Sequence, residues 1–237
     1  MVLNAHTGNR RHADFVESTV RESASAARSV IAASWRRSMV YHGLNPGAPR
    51  RTRRVEAQEL KFARQKNEEL LSIAAPTLER LFATAGGAGC CVVLTDVDGL
   101  ILEANSAPSD DRYFRAWGLS AGAVWSEAAE GTNGIGTCVA EKRPVVIHQD
   151  QHFSEQNIAM SCMGAPIFDH EGRMTAVLDI SSCRRDLSHS LAQVLGTVVT
   201  ESARAVECDL FRAAFKGRRI VVADGHGPGG ASLLAID

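Results

Sequence analysis

Cys90-Cys91-Val92-Val93-Leu94-Thr95, then Asp96-Val97-Asp98-Gly99, then Leu100-Ile101-Leu102-Glu103-Ala104 is the stretch on which the fold turns. An apolar run of strand length, a turn rich in Asp and Gly and a second apolar run make a β-hairpin. The device recurs downstream. Gly164–Phe168 reads as a strand, Asp169-His170-Glu171-Gly172 as a turn, and Met174–Ile180 as the returning strand. Between the hairpins, Pro144–His148 reads as a further strand, and Glu130–Lys142 begins with glycines and continues with helix formers.

Long helical patterns flank these strands. From Val55, the residues Leu60, Ala63, Asn67, Leu70, Ala74, Thr77 and Leu81 recur at three- and four-residue steps, with Leu71, Leu78 and Phe82 widening the stripe. Pro76 is expected to kink or restart this helix, and Gly86–Gly89 to end it. Leu187–Phe215 predicts a second long helix, with an apolar face from Leu191 to Leu210. A shorter helix is expected from Phe15 to Met39, ahead of the loop His42–Gly47. Arg218–Val222 and Ala231–Asp237 read as strand candidates around the glycine-rich 225–230. The order of elements predicts an α+β fold, an antiparallel sheet with flanking helices that leave one face for a ligand.

Composition is that of a globular protein, 45% apolar and 22% charged. The net charge of −1 conceals a basic head, since residues 1–66 hold 13 Lys/Arg against 5 Asp/Glu. Such a head is a separate functional region or one that packs on its own body. Apolar runs are strand-sized, and the N-terminus lacks a signal-peptide core, so a cytoplasmic protein without membrane contact is expected. Cys90, Cys91, Cys138, Cys162, Cys183 and Cys208 contain no C-x-x-C pair and read as reduced core residues.

Further along, Trp125-Ser126-Glu127, Gly131-Thr132-Asn133-Gly134-Ile135-Gly136-Thr137, Arg143-Pro144-Val145 and His152-Phe153 follow in order. Ala165–Asp169, Gly172 and Val177–Ser181 complete the set. Together they resemble the GAF domain of bacterial sigma-54-dependent activators similar to the acetoin catabolism regulator. The head, through Ser34–Ser38, Gly43–Pro46 and Glu68–Leu71, resembles that family's N-terminal region. The resemblance implies a GAF-like sheet in residues 67–215, preceded by a basic, partly helical segment, 1–66. Residues 216–237 then form a linker or the start of a following domain. It also implies a non-enzymatic sensor that binds a small-molecule effector and acts through helices of a homodimer. DNA and sigma-factor contact belong to domains not found here; no G-x-x-x-x-G-K-[ST] phosphate loop occurs. No cofactor is expected.

Candidate site residues follow from that placement. Trp125, Asn133, Ile135, Phe153, Met160, Cys162, Met163 and Ile180 are expected to line a pocket between the sheet and the loop Ser106–Asn133. Gly131–Gly136 reads in two ways. Its backbone can approach a ligand and offer helix N–H groups to an anion, or it is a turn with Thr132 or Asn133 as the helix cap. His148, Asp150 and His152, at i, i+2 and i+4, share a face if the strand extends that far, and with Cys162 they form an alternative metal or redox sensor. A GAF-fold reductase is a further alternative. Arg50, Arg51, Arg53 and Arg54 either contact DNA phosphate or dock on the acidic body.

Overall fold

Both hairpins close on one side-chain device. Asp96 Oδ1 accepts the backbone N–H groups of Asp98 and Leu100, each at 2.9 Å. Asp169 Oδ1 does the same for Glu171 and Arg173, again at 2.9 Å. In each turn a glycine takes the left-handed conformation that other residues avoid, Gly99 at φ 77° and Gly172 at φ 75°.

The computed structural model describes residues 5–22, 29–223 and 232–236. In chain order the helices and strands are α1 (Ala5–Arg21), α2 (Val30–Arg36), α3 (Ala57–Lys66), α4 (Glu68–Ala85), β1 (Cys90–Thr95) and β2 (Ile101–Asn105). Next come α5 (Asp111–Ala116), α6 (Glu127–Glu130), α7 (Gly134–Glu141), β3 (Val145–His148), β4 (Ser161–Phe168) and β5 (Met174–Ser182). The last are α8 (His189–Ala214), β6 (Arg219–Ala223) and β7 (Ser232–Ile236). Strands β1 to β5 form an antiparallel sheet in the order β2-β1-β5-β4-β3. Strands β6 and β7 pair separately. The glycine-rich 225–230 lies outside the described residues.

Side-chain alternation divides the core into two layers. On one face Val92 and Leu94, Met163, Ala165 and Ile167, and Leu178 and Ile180 meet the stripes of α4 and α8. On the other, Cys91, Val93 and Cys162 meet Phe114, Leu119, Trp125, Ile135 and Met160 of the covering segment 106–160. Helices α4 and α8 also pack on each other, so most of their apolar stripes is buried within one chain. Leu191 and Val194 of α8 stay exposed.

Two boundaries depart from expectation. The helix expected over Phe15–Met39 is two helices, because Ser29 is extended (φ −144°, ψ 128°) and caps α2 through its hydroxyl. Arg37–Tyr41 then continues as a π-helical turn. Helix α4 passes through Pro76 uninterrupted, and the restart falls at Asn67. Proline removes the bond to the carbonyl four residues back, here that of Ser72, and both residues lie on the solvent side. Strand β3 ends at His148, as expected, and does not extend beyond it, because Gln149 turns to φ 48°.

The basic head lies against the body. Val16 and Trp35 bury themselves with Phe153, and Trp35 Nε1 donates to Gln151 O at 3.0 Å. Arg54 bridges to Ala123 in β fashion, with Val55 N–H on Gly122 O and Val124 N–H on Arg53 O.

Candidate functional site

Helix α7 approaches the sheet more closely than side chains ordinarily permit. A Cβ on Gly134 would stand 2.5 Å from both Asp179 Oδ1 and Cys162 Cβ. One on Gly164 of β4 would collide with the Gly134 carbonyl, and one on Gly136 with the Glu127 backbone. The glycines thus let a helix backbone rest directly on β4 and β5. Asn133 caps that helix, its Oδ1 accepting from Ile135 N at 2.9 Å and Gly136 N at 2.8 Å, while its Nδ2 donates to Gly131 O. The N–H groups that would serve an anion are therefore occupied, and the capping reading holds.

Beneath α7 lies a buried polar group. Asp179 and Ser181 alternate on β5, opposite Val93 and Cys91 of β1 and Gly164 and Cys162 of β4. Ser181 Oγ donates to Asp179 Oδ2 at 2.5 Å and lies 3.2 Å from Cys162 Sγ. Asp179 Oδ1 has no partner among the described residues. Burial pushes the Asp179 carboxyl up to about 7, against the lowering effect of the Ser181 bond. The same burial, with Asp179 beside it, holds the Cys162 thiol well above its ordinary value. A reactive thiolate needs a cationic neighbour, and Cys162 faces an acid instead.

Trp125, Ile135, Met160 and Cys162 come together in this layer, and Asn133 caps the helix that carries Ile135. Trp125 is held by an Nε1 bond to Gly118 O at 2.9 Å. Met163 and Ile180 do not join them. They are register partners on the opposite face, under α4 and α8. Phe153 turns outward to Val16 and Trp35 and packs over Gly131. Sequence reasoning passed over Asp179 and Ser181, although two polar residues at i and i+2 within Val177–Ser181 mark one face of the strand.

The His148, Asp150, His152 set is not assembled. Because β3 ends at His148, Asp150 falls in the short 3-10 turn Gln149–Gln151. His148 Nδ1 pairs with Ser161 Oγ at 2.8 Å. His152 is fully buried, bonds Gln149 O through Nδ1, and is pushed down to about 4 by burial. No cluster of three metal-binding side chains occurs among the described residues.

A second polar knot ties the head to this layer. Glu127 of α6, 5% exposed, receives Arg37 Nε at 2.8 Å and Nη2 at 3.2 Å. Ser34 Oγ also bonds Glu127, and Thr132 Oγ1 lies 2.6 Å from Ser34 Oγ. Arg37 reaches Glu141 of α7 as well, at 2.8 Å. One arginine from the head therefore grips both α6 and α7.

The chain matches the GAF domain family over residues 69–206, a segment spanning the sheet and most of both flanking helices. The chain belongs to the GAF domain family. Its sequence is similar to the acetoin catabolism regulatory protein of Cupriavidus necator, 33% identical over 154 residues, 65% of this chain and 23% of the relative. It is also similar to the acetoin dehydrogenase operon transcriptional activator AcoR of Bacillus subtilis, 31% identical, covering 83% of this chain and 31% of the relative. The propane 2-monooxygenase operon transcriptional activator MimR of Mycolicibacterium smegmatis is 30% identical, covering 82% of this chain and 33% of the relative. The chain thus spans a quarter to a third of these regulators' length. Among solved structures, the Escherichia coli DhaR(N)–DhaL complex shares the fold, with TM-score 0.67 at 18% identity, over 76% of this chain and 61% of that one. Among the described residues, no helix is long and apolar enough to cross a membrane.

Proposed function

We propose that this GAF chain is a non-enzymatic sensory region of a sigma-54-dependent transcriptional activator, and that it binds a small neutral effector beneath the covering segment. The observation that carries this reading is Asp179. A carboxyl with one oxygen unpartnered in an apolar layer is costly, and a ligand hydroxyl or carbonyl would satisfy it. With its proton the carboxyl donates to a ketone oxygen; without it, it accepts from an alcohol or diol. Trp125, Ile135, Met160 and Cys162 supply the apolar walls, and entry requires the segment 106–133 to shift outward. The names of the relatives support a role in transcription.

The same strand carries the signal. Asp179 and Ser181 face the effector layer, while Leu178 and Ile180 of β5 press on α4 and α8 from the other side. An effector that prefers one arrangement of the two helices shifts their equilibrium by its differential affinity. These helices, with exposed Leu191 and Val194, form the homodimer contact in this reading. DNA and sigma factor are contacted by other parts of such an activator.

The test is a calorimetric titration of short-chain ketones, alcohols and diols against the chain, followed in parallel by tryptophan fluorescence. One member of the set saturates the protein, and Asp179→Asn weakens it about tenfold or more. An absence of saturable binding across the set, or affinity unmoved by Asp179→Asn, refutes the reading.

A further inference from the structure

A concave site lies on the covering segment and the head, apart from the Asp179 layer. Arg50, Arg51, Arg54 and Arg115 converge with Trp117 and Asn157 around a cleft of about 440 Å³. That volume suits a small metabolite. Arg50 is held by the Ala129 carbonyl at 2.8 Å. Arg54 is held by Ser120 Oγ at 2.8 Å and the Ala121 carbonyl at 2.7 Å. These neutral acceptors orient the guanidinium groups without cancelling their charge. Among the described residues neither arginine, nor Arg51, has an ion-pair partner, while Arg115 pairs with Asp111 at 2.7 Å.

Two further observations point inward. Asn157, 7% exposed, lines the cleft, and its Nδ2 has no partner among the described residues. That leaves a buried donor awaiting an acceptor. The cleft's one carboxyl, Glu130, is raised by burial to about 7, against the pull of Thr52 and Arg50. At neutral pH it is only partly ionised and opposes an incoming anion weakly. The Trp117 ring adds an apolar wall, which favours an organic anion over a bare ion.

We propose that this arginine cleft binds a small oxyanion-bearing metabolite, a carboxylate or phosphate ester gripped by the guanidinium forks and by the Asn157 amide. Planar guanidinium groups match both oxyanions in bidentate fashion. The clustered arginines of the head thereby form a concave small-molecule site.

The experiment is a titration of the chain at low ionic strength with glycerol phosphate, inorganic phosphate, succinate and a short DNA duplex, each against a chloride control of equal ionic strength. At least one small oxyanion binds saturably, and the phosphate and succinate arms show which chemistry the cleft takes. Arg51→Ala, which removes no bond within the described protein, weakens that binding about five- to tenfold and leaves the ligand-free melting temperature in place. Arg51→Lys falls between the two. Asp179→Asn leaves anion binding unchanged, which separates this site from the effector layer. The proposal is overturned by no binding beyond the chloride control, by Arg51→Ala binding like the parent, or by binding confined to the duplex.

Discussion

Gly134 of α7 stands so close to Asp179 of β5 that a single added methyl group would lie 2.5 Å from the carboxyl oxygen. The contact sets the distance between helix and sheet. In an open helix, alanine is favoured over glycine by about 1 kcal/mol. Here the crowding outweighs that gain, since the added group would also stand 2.5 Å from the Cys162 Cβ and 3.1 Å from the Cys162 backbone carbonyl carbon, on a paired strand. Gly134→Ala is expected to destabilise the protein by about 2–3 kcal/mol. Gly87→Ala, where the added group meets nothing within 4 Å, changes stability by less than about 0.5 kcal/mol. Urea denaturation of the two variants checks the contrast, and equal midpoints would remove the close-packing argument.

The hairpins were readable because each carries its own chemistry. Asp96 and Gly99, and Asp169 and Gly172, are the residues that such turns require. The division of the site was harder. Cys162 to Ile167 is apolar throughout and buried on both faces, so the strand shows no alternation by which to tell one side from the other. Met163 therefore reads like Cys162 in the sequence, although they face opposite layers. Asp179 and Ser181 break that symmetry, and register carries the assignment from β5 to β4. The break at Asn67 left no comparable mark. Pro76 is the stronger helix-breaking signal, but its effect depends on whether the freed carbonyl faces water, and that is a tertiary matter. The Arg37–Glu127 pair joins residues far apart in the chain and has no local signature.

Acidity supplies a second check on Asp179. Its carboxyl rises from an ordinary 3.8 to about 7 on folding. Between those values the folded protein holds a proton that the unfolded chain has released, so stability falls as pH rises through this window and levels off above about 7. Glu130, raised to about 7, acts in the same direction. His152, lowered from 6.5 to about 4, acts oppositely, adding stability as pH rises from about 4 to 6.5. Both contributions are common to the parent and to Asp179→Asn and cancel in their difference. The stability of Asp179→Asn relative to the parent therefore climbs by about 2–4 kcal/mol between pH 4 and pH 7 and is then flat. Denaturation curves across that range measure it, and a difference independent of pH would mean that Asp179 titrates as an ordinary exposed acid.

The grip of Arg37 on Glu127 predicts an energetic coupling between the head and the covering segment. Glu127 is 5% exposed and its carboxylate is held by Arg37, Ser34 and Thr137. Arg37→Ala strands that charge away from water, an uncompensated burial that costs several kcal/mol when complete. Arg37 itself is partly exposed, with 29% of its side chain accessible, so water can enter in its place and the expected loss is smaller, about 2–3 kcal/mol. Glu127→Gln removes the charge but keeps an acceptor for the Ser34 and Thr137 hydroxyls. In the double variant neither charge of the pair remains, and the combined loss falls short of the sum of the single losses by about 1–2 kcal/mol. A double-mutant cycle by urea denaturation measures that shortfall. Additivity within about 0.5 kcal/mol would show that the ion pair contributes nothing to the head's attachment, which then rests on the packing of Val16 and Trp35 with Phe153 and on the remaining hydrogen bonds.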